Sequence, residues 1–115
     1  MKQPSVLDSF ALIAYLGRER GFESVRTLLH EAEASGAPLL MNEINVGEVY
    51  YLIAKERSIQ KAEEFLHRLE TLPIRVLANT FAQVLDAARL KAQFPVSYAD
   101  AFAIAAAIRE NARLV

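Results

Sequence analysis

The chain predicts an α/β fold, a short parallel sheet of about four strands in a three-layer arrangement flanked by helices. Three observations lead there. Short apolar runs alternate with longer stretches of helical periodicity, which is the pattern of βα units. The short runs are predominantly apolar, as expected of strands covered on both faces. Breakers stand where the units join, at Gly17, Gly36, Pro73 and Pro95.

Taken in order, Ser5-Val6-Leu7 is the first strand. A helix over residues 9–16 follows and stops at Gly17. Phe22, Val25, Leu28, Leu29 and Ala32 keep a helical period as far as Ser35-Gly36. Ala37-Pro38-Leu39-Leu40-Met41 reads as the second strand, with proline at its entry. Residues 42–55 form a helix with Ile44, Val49, Leu52 and Ile53 apolar. Within it, Asn45 and Glu48 have capping-box spacing. The helix carrying Ala62, Phe65, Leu66 and Leu69 ends before Pro73. Ile74-Arg75-Val76-Leu77 is the third strand. Thr80 caps a helix bearing Phe81, Val84, Leu85 and Ala88. An Ala-rich helix over residues 99–109 is apolar on nearly every side and is expected to be buried. Leu114-Val115 reads as the first half of a fourth strand. The expected organisation is one domain over residues 1–115, truncated in its last strand.

Composition narrows the chemistry. The 115 residues include no Cys and two His. A metal site must therefore rely on oxygen ligands, which favour Mg²⁺, Mn²⁺ or Ca²⁺. The net charge of −1 gives no bulk attraction to nucleic acid. A nucleic-acid partner then needs a local basic patch or a bridging cation. No apolar run is long enough to span a bilayer. Asp8 interrupts the apolar stretch near the N-terminus, which argues against a signal peptide. The expected location is cytoplasmic.

Three carboxylates stand out against apolar surroundings. Asp8 closes the first strand. Glu48 shares a helix side with Ile44, Tyr51 and Leu52. Asp100 is the one charge in Ala99-Asp100-Ala101-Phe102-Ala103-Ile104-Ala105-Ala106-Ala107-Ile108. Buried carboxylates are costly unless paired, hydrogen-bonded or metal-bound. Converging carboxylates repel one another, and a divalent cation neutralises them. Each also has a local explanation. Asp8 suits the N-cap of the first helix. Glu48 suits a capping box with Asn45. Ser97-x-x-Asp100 has the spacing of another. In parallel α/β sheets, ligands collect beyond the carboxyl ends of the strands, where Asp8 stands.

Other polar residues read as surface. Asp86 is followed one turn later by Arg89. Glu63 and Glu64 lie among Lys61, His67 and Arg68. His30 and His67 lack metal-ligand spacing. Arg18 with Arg20, and Lys55 with Arg57, make two small basic turns that surface solvation explains and that phosphates would also suit.

In combination, Val6-Leu7-Asp8-Ser9-Phe10-Ala11-Leu12, Asn42-Glu43-Ile44-Asn45-Val46-Gly47-Glu48-Val49-Tyr50-Tyr51 and Ser97-Tyr98-Ala99-Asp100-Ala101-Phe102 resemble the PIN domain. The resemblance is in particular to the toxin nucleases of VapBC toxin–antitoxin pairs, and it covers the whole chain in order. It implies a metal-dependent endoribonuclease that hydrolyses RNA phosphodiester bonds. Mg²⁺ or Mn²⁺ would be held by Asp8 and Asp100, with Glu48 as a ligand or as the orienter of a bound water. It further implies a homodimer and a cognate antitoxin that covers the acidic site. Tyr50 and Tyr51 are candidates for an interface or for the core. The family usually carries one more Asp just after the fourth strand, so a fourth acid is expected beyond Val115. Two other readings stay open: a non-catalytic PIN-like interaction module, and a phosphoryl-accepting domain resembling response-regulator receivers. The latter usually show adjacent acids after the first strand, where this chain has Asp8 alone.

Overall fold

The computed structural model describes residues 3–115. Among them, four strands and six helices follow one another. They are β1 (Ser5–Leu7), α1 (Ser9–Leu16), α2 (Phe22–Ser35), β2 (Leu39–Asn42) and α3 (Glu43–Glu56). Then come α4 (Ile59–Thr71), β3 (Ile74–Leu77), α5 (Phe81–Gln93), α6 (Tyr98–Arg109) and β4 (Arg113–Leu114). The strands form one sheet in the order β3-β2-β1-β4, and every pairing is parallel. Val6 lies between Leu40 and Leu114, and Met41 between Leu7 and Val76.

Strand alternation sorts the core into two faces. Leu7, Leu39 and Met41 point to one side, against Leu12 of α1, Val25 and Leu29 of α2, Val49 of α3 and Phe65 of α4. Val6, Leu40 and Leu77 point to the other side, against Ala106 and Ala107 of α6. Helix α5 packs on the outer side of α6 through Ala87, Phe102 and Ala105. This is the expected three-layer arrangement. Alanines let α6 lie close to the sheet, and six of its residues are buried.

Several expectations shift in detail. β3 is an edge strand whose Arg75 and Val76 are exposed, so it is not covered on both faces. Its charged residue suits an edge that must avoid further pairing. β4 pairs at Arg113 and Leu114, one residue earlier than expected, and Val115 N–H continues the ladder to Val6 O at 2.8 Å. The α3 cap is Asn42, whose side chain accepts from Ile44 N–H. Asn45 is therefore inside the helix, and it forms no capping box with Glu48. The reciprocal box occurs instead at Thr80 and Gln83.

Gly47 occupies an exposed position in α3, and a Cβ added there meets nothing within 4 Å. Glycine costs about 1 kcal/mol against alanine in a helix interior. Gly47→Ala should therefore raise stability by about 0.5–1 kcal/mol, read as a higher urea midpoint at unchanged m-value. A lower midpoint would show that this stretch of α3 needs the bare backbone.

Candidate acidic site

The strand order places the site. The chain moves from β1 to β2 to β3 on one side, then returns to add β4 on the other. The switch in direction lies between β1 and β4, and the carboxyl ends of strands at such a point form a crevice. Asp8 is the residue after β1. Its backbone N–H donates to Val115 O at 3.2 Å, which ties it to the end of β4.

Asp8 is half-buried and caps α1. Its Oδ1 accepts from Ala11 N–H at 2.8 Å. The cap reading and a ligand reading coexist: the backbone of Ala11 and of Phe10 hydrogen-bonds the carboxylate, and its two oxygens, with about four lone-pair sites, leave room for a cation. Burial raises the Asp8 pKa, and the charges of Asp100 and Glu48 raise it further, while the Ala11 hydrogen bond opposes the change. The influence of both other acids on Asp8 brings three sequence-distant carboxylates into one electrostatic neighbourhood. None of the ion pairs among the described residues uses any of them.

Asp100 is in the first turn of α6. Ser97 caps that helix by accepting from Asp100 N–H at 3.1 Å. The return bond of a capping box is not made, so the Asp100 carboxylate is not committed to the cap. Glu48 lies in the second turn of α3. Its sequence neighbours Ile44 and Tyr51 are 37% and 54% exposed, and the buried residues of α3 are Asn45 and Val49. Glu48 thus sits at the border of the core, not on an apolar face turned inward.

Sequence reasoning missed the residue that joins these parts. Asn45 is fully buried. Its Nδ2 donates to Ser9 Oγ at 3.2 Å and to Ala99 O at 3.0 Å, and Ser9 Oγ donates to Asn45 O at 3.3 Å. Ser9 follows Asp8, and Ala99 precedes Asp100. One side chain on the Glu48 helix therefore grips both segments that carry the other acids. The available signal was an Asn inside a helix, where it is disfavoured without a tertiary partner.

A second amide pair steadies the neighbouring strand ends. Asn42 Nδ2 donates to Asn79 Oδ1 at 2.8 Å, and Asn79 Nδ2 donates to Asn42 Oδ1 at 2.9 Å. Glu43 accepts from Asn79 N–H at 2.8 Å, so this nearby acid is engaged in joining β2 to the segment after β3.

The donor set bears on cation binding. Among the described residues, no three His, Cys, Asp or Glu side chains form a ready metal-binding group. The chemistry present nevertheless fits a hard cation. Asp8 feels two further carboxylates, and Glu48 Oε1 is buried with no hydrogen-bond partner. An unsatisfied buried acceptor costs about 1–3 kcal/mol, more when charged, and a divalent ion removes that cost. His30 and His67 are exposed on α2 and α4.

The surface beyond the acids mixes aromatic and cationic groups. Tyr15 and Phe22 stack with centroids 5.4 Å apart. Arg18 lies over Phe22 at 5.7 Å and Arg68 over Tyr15 at 5.4 Å, each within cation–π range. Tyr15 is two turns beyond Asp8 on α1, about 10 Å along the axis. Tyr50 donates to Glu63 of α4, while Tyr51 is exposed. The charges expected at the surface form exposed pairs: Arg89 with Asp86 at 3.2 Å, and Lys61 with Glu64 at 3.5 Å.

A family model described as PIN domain matches residues 5–115. Among solved structures, VapC20 of Mycobacterium tuberculosis, a sarcin–ricin loop cleaving toxin, is similar with a TM-score of 0.70 and 17% identity. The match covers 94% of this chain and 84% of that one. VapBC2 of Rickettsia felis, bound to a DNA fragment from its promoter, gives 0.74 at 15% identity, over 96% of this chain and 84% of that one. A toxin–antitoxin complex from Klebsiella pneumoniae gives 0.61 at 18% identity, over 96% and 82%. At these identities the likeness is one of fold. No curated protein matches the chain.

Proposed function

This chain belongs to the PIN domain family, and on that premise we propose that it is a metal-dependent endoribonuclease. We further assign it the role of toxin in a VapBC-type toxin–antitoxin pair. The observation that carries the reading is the buried Asn45 clamp, by which the Glu48 helix grips Ser9 beside Asp8 and Ala99 beside Asp100, with Asp8 at the end of β1 where the sheet order switches. Neighbouring folds that include an RNA-cleaving toxin and toxin–antitoxin complexes support it.

Asp8, Asp100 and Glu48 would hold Mg²⁺ or Mn²⁺. Held by these residues, such a cation would supply a lower pKa for an attacking water and charge stabilisation at the scissile phosphate. The protein's part is positioning. Asp8 is fixed by the Ala11 N–H, and Asp100 stands on a helix start fixed by Ser97. The amino ends of α1 and α6 direct partial positive charge towards an anionic backbone. Arg18 and Arg68, held on aromatic rings, are suited to flanking phosphates of a bound RNA.

The partners follow from the same surface. Phe10, Ile44, Tyr51 and Tyr98 are exposed, and each lies within four residues of one of the three acids. Such apolar groups fit an antitoxin that covers the site, or a second copy of the chain. A toxin that acts on RNA meets its substrate in the cytoplasm, and we assign the protein there as part of the same reading; separately, no helix among the described residues is long and apolar enough to cross a membrane.

The deciding experiment incubates the purified protein with structured and single-stranded RNA, with Mg²⁺ or Mn²⁺ and then with chelator. Cleavage that requires the metal and stops on chelation is expected. RNA left intact with both metals would overturn the nuclease and favour a non-catalytic interaction module.

A further inference from the structure

Asn45 does more than tie helices together. Its amide could be oriented in two ways, and its neighbours choose between them. The Ala99 carbonyl accepts and never donates, so the atom facing it at 3.0 Å must be nitrogen. Ser9 Oγ also faces that nitrogen, having given its own proton to Asn45 O. The remaining amide atom, Asn45 Oδ1, is buried with no partner. The other buried side-chain atom in that condition among the described residues is Glu48 Oε1.

The two orphaned atoms are related. They lie three residues apart on α3 and hence on neighbouring positions of one helix face. Both only accept, so neither satisfies the other. Glu48 is one of the two acids whose charge acts on Asp8, and Asn45 hydrogen-bonds Ser9, the residue after Asp8. An amide oxygen is a hard ligand of the kind that Mg²⁺ and Mn²⁺ accept. Being neutral, it adds no repulsion to Asp8, which already feels the charges of Asp100 and Glu48.

We propose that Asn45 Oδ1 is a neutral oxygen donor of the cation site, placed beside Glu48 by the same amide that clamps α1 and α6. The proposal rests on the metal-dependent reading above, and it adds a ligand that the three acids do not include. The amide nitrogen fixes the distance between the acid-bearing segments, and the amide oxygen completes the electrostatics inside them.

Calorimetric Mn²⁺ titration and thermal melting, both without RNA, test it. Asn45→Leu keeps the volume and removes the oxygen. Mn²⁺ affinity should fall about 10–100-fold, the scale seen when groups around a metal site are lost. Asn45→Asp keeps an oxygen and loses both donated hydrogen bonds. Its metal-free melting temperature should fall, while its melting shift on adding Mn²⁺ should exceed that of the wild type. A purely structural Asn45 predicts the opposite, a smaller Mn²⁺ shift in the less stable variant. Unchanged Mn²⁺ affinity in Asn45→Leu overturns the inference. Should that variant fail to fold, a Mn²⁺ shift in Asn45→Asp no larger than wild type overturns it equally. Wild-type protein that binds no Mn²⁺ at millimolar concentration overturns the metal reading itself, which is a separate result from a wild type that binds and a variant that binds as well.

Discussion

Asp8→Asn should cut metal-dependent RNA cleavage on the order of 100-fold or more and, without metal, make the protein more stable at neutral pH. The two effects have one cause. The Asp8 carboxylate is half-buried, and burial raises its pKa, with Asp100 and Glu48 adding to the rise. A carboxyl whose folded-state pKa lies above its unfolded value favours folding while protonated. That contribution is present below the unfolded carboxylate range, about pH 4. It is lost as pH rises through the higher folded-state value. At pH 7 the ionised Asp8 therefore opposes the metal-free fold. Asparagine is neutral at every pH and is as good an N-cap as aspartate, so the bond to Ala11 N–H has a replacement.

The melting temperature of Asp8→Asn should thus exceed wild type at pH 7, and the gap should close as pH falls below about 4. Saturating Mn²⁺ should reverse the order. A ligand at a hundred times its Kd stabilises by about 2.7 kcal/mol, and the variant gains little of it. Cleavage should fall on the order of 100-fold or more, the scale of losing one pre-organised electrostatic group. Unchanged cleavage would remove Asp8 from the chemistry. A variant less stable than wild type at pH 7 without metal would show that the carboxylate is no strain on the fold.

The same residue shows how much of this molecule is legible in its sequence. Asp8, Thr80 and Ser97 were readable as caps because a cap is a local event, an oxygen within three residues of an unpaired N–H. The strands were readable because both sheet faces demand apolar residues in a short run. What local reasoning lacked was distance. Asn42 and Asn45 both suit the start of α3. The choice fell to Asn42 because it ends β2, leaving Asn45 to turn inward towards Ser9 and Ala99. Contacts with residues so distant in sequence leave no mark beyond an Asn in an uncongenial place. β3 has the expected bounds, but its place in the sheet escapes local reasoning for a similar reason. Ile74-Arg75-Val76-Leu77 has a strand's composition, and only the sheet order makes it an edge. The acids were legible as an ordered set, and their mutual field depends on the strand order that brings α1, α3 and α6 together.

Leu12→Ala should be among the most damaging single truncations, and its reach extends to the site. α1 has eight residues and buries Ser9 and Leu12. A helix that short does not persist in water alone, so packing must hold it. Leu12 is 0% exposed and lies in the larger core cluster with Leu7, Val25, Leu29 and Met41. Removing its branched end leaves a cavity beneath the helix that Asp8 caps. Such truncations cost about 2–5 kcal/mol, a large share of the roughly 5–15 kcal/mol that holds a domain folded. The melting temperature should fall by about 10–25 °C. Phe10→Ala on the same helix is the control. Phe10 is 58% exposed, and its loss should stay within about 0.5 kcal/mol. Urea midpoints of the two variants decide the matter, since the expected gap far exceeds the error of either. Equal midpoints would mean that α1 is anchored through Ser9 and Asn45 instead, and that the polar clamp, not the core, keeps Asp8 in place.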